Sequence, residues 1–181
     1  MEEFKSFDTL LEADERWKCF ATLGTTTSLP KPYTIEDMYI SIEKIKLNEN
    51  IPEDVKSQFN VAKMLGVYAW LYYPFHQMAE LKAFSTLEMG LRIRFPHIKN
   101  FSRLLSHAVE NGFIKDAGFS NIQQSPNDSI CYSKTLPALI PSIRNDLAHG
   151  TTTLHPGSLF TINNCAEILN QLFPTSNPPK I

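Results

Sequence analysis

Between Pro74 and Pro96, residues Ala79, Ala83, Leu87 and Leu91 recur at every fourth position. On a helix that interval sets all four on one face, which then needs apolar partners. Proline is poorly tolerated in a helix interior, so Pro74 breaks or kinks the pattern and Pro96 ends it. The spacing therefore predicts a helix over Phe75–Phe95, and the remaining punctuation is of the same kind. Pro52, followed by Glu53 and Asp54, suits a first turn. The helix it opens runs through Val55, Phe59, Ala62, Leu65, Ala69 and Tyr72 to about Tyr73. Another spans about Ile98–Glu110 and stops at Asn111-Gly112. A short one covers about Pro137–His149, with Gly150 as its C-cap residue. Ser158 suits the cap of a last helix reaching Phe173 through Leu159, Ile162, Ala166, Leu169 and Leu172.

The first fifty residues are predicted to be helical as well. Asp8 is placed to cap a helix reaching about Leu23, with Gly24 as its stop. Thr25 to Tyr33, with Pro30 and Pro32, reads as a loop. Thr34 with Asp37 three residues later opens a segment to about Leu47, although Met38-Tyr39-Ile40-Ser41-Ile42 also suits a strand. Lys115 to Lys134 has no period, and a loop of that length belongs to the functional or mobile class. The expected fold is all-α.

With 181 residues, the chain is long enough for one domain that buries roughly 70% of its unfolded surface. Neither a metal nor a disulfide is needed to hold it. Cys19, Cys131 and Cys165 lack the paired spacing of a zinc cage, and reduced thiols in a cytoplasmic protein are expected. The start, Met1-Glu2-Glu3-Phe4-Lys5, has no apolar run of the kind a signal peptide carries. The apolar run Met64–Phe75 is about half the ~20 residues that cross a bilayer, so no membrane partner is expected. A net charge of −2 excludes a broadly basic surface that grips nucleic acid indiscriminately. Charge is nevertheless uneven. Residues 1–16 carry six acids against Lys5 and Arg16, whereas residues 81–103 carry Lys82, Arg92, Arg94, Lys99 and Arg103 against Glu88. Two solvated faces attracting each other is one reading; a basic strip for a phosphate backbone is the other.

The segment Ser142-Ile143-Arg144-Asn145-Asp146-Leu147-Ala148-His149-Gly150 concentrates the chemistry. On a helical wheel Leu136, Leu139, Ile140, Ile143 and Leu147 share an arc of about 100°, expected to face the core. Arg144, Asn145 and His149 project away from it. Asn145 and His149 are i, i+4 neighbours, so the amide is placed to orient the imidazole. Neutral histidine is matched to proton transfer near pH 7, and arginine is a permanent forked donor for phosphoryl oxygens. A base and a phosphate clamp without a carboxylate cluster suit internal transesterification of RNA, in which the ribose 2′-OH attacks its own phosphate. A single histidine cannot easily be base and acid in one transition state, and a two-fold-related copy would supply the second. Spacing alone is weak: Arg92-Ile93-Arg94-Phe95-Pro96-His97 has the same interval, but Pro96 interrupts it and Ile93 holds the polar neighbour's place.

The string Arg144-Asn145-Asp146-Leu147-Ala148-His149-Gly150 resembles the signature of the HEPN superfamily. In that family an arginine, a polar residue and a histidine after four intervening positions mark metal-independent endoribonucleases. Ala79 through Arg92 is similar to the family's long helix with an acidic residue, and Leu154-His155-Pro156 through Phe173 also resembles bacterial members. The resemblance covers roughly residues 52–173. It implies an all-α, HEPN-like helical bundle at 51–174, with a helical N-terminal extension or cap at 1–50 and a flexible tail at 175–181. It further implies Arg144 and His149 as the catalytic pair with Asn145 as polar companion, a homodimer, RNA as substrate, no cofactor and no metal. Many members are toxins or phage-defence effectors, some paired with an antitoxin protein, and others only bind or scaffold.

Supporting positions are read beside their plainer roles. Glu88 has Arg92 as an i+4 partner, yet borders the Leu87/Leu91 stripe and is placed to fix Arg144. Asp146 suits either the site or a surface ion pair, and Gly150 lets the chain turn after His149. Arg92, Arg94 and His155 are candidates for RNA contact. Tyr68, Trp70, Tyr72 and Tyr73 suit core or dimer packing better than base stacking.

Overall fold

A computed structural model of the chain describes residues 2–22, 31–122, 129–154 and 157–175. These are mostly helical, with almost no strand: α1 (Ile35–Glu43), α2 (Glu53–Tyr68), α3 (Phe75–Arg94), α4 (Phe101–Glu110), α5 (Leu136–His149) and α6 (Ser158–Leu172). The stripe Ala79, Ala83, Leu87, Leu91 is fully buried and forms the seam on which the others assemble. α2 and α6 pack along α3, and α4 and α5 pair with each other and against it. Phe59 of α2 and Ile162, Leu169 and Leu172 of α6 complete this core, each worth roughly 1.5–3 kcal/mol when buried. Gly90 permits the close approach of α3 to α6, because a Cβ there would lie 2.5 Å from Leu169 Cδ2.

The two ends of the bundle are tied by amides. Asn48 Nδ2 donates to Phe173 O at 2.7 Å, and Asn50 Nδ2 donates to Pro174 O at 2.7 Å. These bonds end just before the predicted tail at 175–181, of which residues 176–181 lie outside the described residues.

The N-terminal region departs most from expectation. No helix follows Asp8. Short 3-10 turns at Phe7–Thr9 and Glu15–Cys19 lead to β1 (Ala21–Thr22), which pairs antiparallel with β2 (Lys31–Pro32). Gly24 and most of the predicted loop lie outside the described residues. The cause is tertiary. Asp14, not Asp8, caps a turn, and its carboxylate also accepts from Tyr73 N at 3.0 Å. The Trp17 indole donates to Ala69 O at 3.0 Å, while Trp17 joins Met38, Ile42, Val67 and Tyr73 in a second apolar cluster. These bonds also end α2 at Tyr68, five residues early. Phe7 and Leu11, which are spaced to share the apolar face of such an N-terminal helix, are instead 89% and 78% exposed. Thr34 and Asp37 do form a reciprocal capping box, so the ambiguous segment after them is helix rather than strand.

The aperiodic stretch after α4 is anchored where it is described. The Asp116 carboxylate is buried and accepts from Ser129 Oγ (2.6 Å), Tyr132 N (3.1 Å), and Ser133 N and Oγ (2.9 and 2.8 Å). Burial pushes its pKa up, but these hydrogen bonds outweigh it and hold the carboxyl at about 2. Residues 123–128 lie outside the described residues. Cys19 and Cys131 are exposed and Cys165 is buried, all free. Among the described residues no helix is long and apolar enough to cross a membrane.

Candidate active site

α5 carries the Arg144–His149 motif on a lightly packed helix. Leu136 and Ile140 are buried and Ile143 and Leu147 half-buried, but Leu139 is 50% exposed. The five-residue arc expected to face the core is thus only partly covered. At 100° per residue Leu139 lies about 60° from Leu136, at the arc's outer edge. Pro141 sits inside the helix and has no N–H for the Pro137 carbonyl. Ser102 of α4 supplies the missing donor, its Oγ giving a hydrogen bond to Pro137 O at 2.7 Å. Sequence reasoning missed Ser102, although a proline four residues after Pro137 announces an orphaned carbonyl.

Glu88 joins the motif to α3. Its Oε2 accepts from Arg144 Nη2 at 2.5 Å, and its Oε1 accepts from Arg92 Nη2 at 2.7 Å and Nε at 3.2 Å. Both partners expected for Glu88 are therefore engaged at once. The carboxylate side chain is 11% exposed, against 32% for Arg144 and 46% for Arg92. One largely buried anion holds two guanidiniums that still reach solvent, so the trio carries a net positive charge. Arg144 Nη1 donates to Asn145 Oδ1 at 3.1 Å, and its guanidinium lies 5.8 Å from the Phe101 ring centroid. Arg92 Nη2 also donates to Lys99 O at 2.8 Å, tying α3 to the turn before α4. Phe101 and Lys99 carry no sequence signal for this role, since only the fold brings them beside α3.

Asn145 and His149 are exposed, and among the described residues no hydrogen bond joins them. The amide expected to orient the imidazole is turned to Arg144, the neighbour with a permanent charge. His149 is the last residue of α5, and Gly150 follows with φ +86°, a left-handed backbone that favours glycine. Gln77 Nε2 then holds the exit segment, donating to Thr151 O at 3.0 Å and Thr153 O at 2.7 Å. Leu154 packs against the Trp17 cluster, so the N-terminal region touches the motif's exit. Asp146 is exposed and forms no ion pair among the described residues. Arg94 is exposed, with its guanidinium 5.2 Å from the Phe113 ring centroid. His155 lies outside the described residues.

The aromatics at 68–73 do not form one stacking platform. Among Tyr68, Trp70, Tyr72 and Tyr73, Tyr73 is buried, Trp70 donates its indole N–H to Tyr33 O, and only Tyr68 stands exposed. Among the described residues no group of three or more His, Cys, Asp or Glu could hold a metal ion. In comparisons with protein-family models, curated proteins and solved structures, nothing matches this chain.

Proposed function

We propose that the chain is a metal-independent endoribonuclease of the HEPN type, acting as a homodimer in the cytoplasm. The observation that carries this reading is the Glu88–Arg144 bridge, which holds the motif arginine at one angle while the adjacent Asn145 and, five residues on, His149 stand exposed. A guanidinium pre-oriented in this way costs little to present to a phosphate. His149 takes the proton of a ribose 2′-OH; the 2′ oxygen bonds to phosphorus and the bond to the 5′ oxygen breaks. Arg144 stabilises the charge on the non-bridging oxygens. A proton from His149 of the partner subunit completes the leaving 5′-OH, and the other product is a 2′,3′-cyclic phosphate. DNA lacks the attacking hydroxyl and is not cut. The open motif face gives a second copy room to form the opposite wall. A toxin or phage-defence role, with an antitoxin protein as partner, fits such an activity.

A second reading is favoured by the same bridge. Arg144 already has two partners, so it also suits a bolt that fastens α5 to α3 in a binding or scaffolding protein. His149 separates the two, because it takes no part in the bolt. Expression of wild type in a bacterial host should fragment cellular RNA and slow growth, while His149→Ala should express without either effect. Intact RNA with both proteins would contradict the nuclease reading.

A further inference from the structure

Beside the start of α4 lies a cleft of about 480 Å³ whose lining includes His97, Lys99, Asn100, Arg103, His107 and Glu110. That volume falls within the range of small-ligand sites, and its rim carries several charged side chains. Glu110 is its one carboxylate against Lys99, Arg103 and two imidazoles. Several cations elsewhere are paired locally: Arg16 with Glu2 and Asp14, Lys18 with Glu15, Lys46 with Glu43, and Lys56 with Glu53. Lys99 and Arg103 are exposed, and among the described residues their side chains form no ion pair. The acidic first sixteen residues form no ion pair with them among the described residues; the pairs of that segment run to Arg16 and Lys18.

A chain of hydrogen bonds links the motif to the cleft's edge. From Arg144 the contacts run through Glu88 to Arg92, and Arg92 bonds the backbone of Lys99 on the cleft's edge. Three exposed cationic side chains, Arg92, Lys99 and Arg103, thus follow one path away from Arg144, with the positive end of the α4 dipole beside them. Regularly spaced negative charges on a single covalent strand match such a path. A lone phosphate would need only one of these positions.

We propose that this cleft binds the phosphodiester backbone of single-stranded RNA flanking the scissile linkage, so that a substrate occupies Arg144 and the α4 cleft together. The proposal rests on the motif face acting on RNA. Binding is measured apart from cleavage with a fluorescent 2′-O-methyl oligonucleotide of about 12 residues, which has no attacking hydroxyl, across a salt series. The variants are Lys99→Gln/Arg103→Gln, the charge-conserving pair Lys99→Arg/Arg103→Lys, and His149→Ala. The glutamine pair should weaken binding at least tenfold at low salt. It should also flatten the salt slope by about 1.4, two contacts at roughly 0.7 each on a single strand. The charge-conserving pair should restore both, and His149→Ala should bind as wild type does. An unchanged slope in the glutamine pair, with its helical spectrum intact, would overturn the proposal, as would wild type that binds duplex as tightly as single strand. Wild type that binds with the expected slope but cuts no RNA would leave the cleft standing and remove the nuclease. Cleaving wild type with an indifferent glutamine pair would do the reverse.

Discussion

α3 and α5 meet at the Glu88–Arg144 bridge and are held in place by different means. α3 buries ten of its 20 residues, α5 only two of its 14. α3 is positioned by apolar contact on several sides, so its place tolerates the loss of any one polar bond. α5 rests on buried Leu136 and Ile140, half-buried Ile143 and Leu147, the Ser102 bond to Pro137, and the bridge to Glu88. Its outer face is consequently available, and its alignment depends on a few polar atoms. A site built this way combines a rigid wall with an adjustable one, and the motif sits on the adjustable one.

The difference can be broken from either side. Leu87→Ala removes a fully buried side chain from α3 and should cost about 2–5 kcal/mol of stability, read by denaturant unfolding. Glu88→Gln should leave most of that stability in place but release Arg144, lowering RNA cleavage by up to roughly 100-fold. Equal losses of stability and activity in that variant would mean that the bridge is structural. Asp116→Ala should cost about 2 kcal/mol or more, because four donors lose their acceptor. The native carboxyl has a depressed pKa, so its contribution is complete above the unfolded value near 3.8 and is lost as pH falls towards about 2. Acid unfolding should therefore steepen in that window for wild type and not for Asp116→Ala. Ser102→Ala should cost about 1 kcal/mol and, by loosening α5, reduce cleavage more than stability. Leu139→Ala, on the exposed edge, should change monomer stability by less than about 0.5 kcal/mol. A larger effect on dimer dissociation in analytical ultracentrifugation would mark the outer face of α5 as the interface.

Legibility follows the reach of each interaction. The α3 stripe, the Thr34–Asp37 capping box and the stop at Gly150 depend on residues a few positions apart, and each is found where the local pattern puts it. The first predicted helix fails because its fate is decided by Ala69 and Tyr73, which meet Trp17 and Asp14 only after α2 has folded back. The motif shows the same division. Glu88 beside a buried stripe is a local signal, and it does reach Arg144. The Asn145 amide had two neighbours in reach, and the wheel alone could not rank a charged one above the imidazole one turn away. Ser102, Phe101 and Lys99 belong to α4 and its approach, and no spacing within α5 points to them.

The central claim is chemical, and the end groups of the product test it directly. Purified wild type incubated with RNA in excess chelator should release fragments ending in 2′,3′-cyclic phosphate and 5′-OH, and His149→Ala, with an unchanged helical spectrum, should lose about 10²–10⁴ of that rate. RNA left equally whole by both proteins, or fragments with 3′-OH and 5′-phosphate ends, would contradict the account.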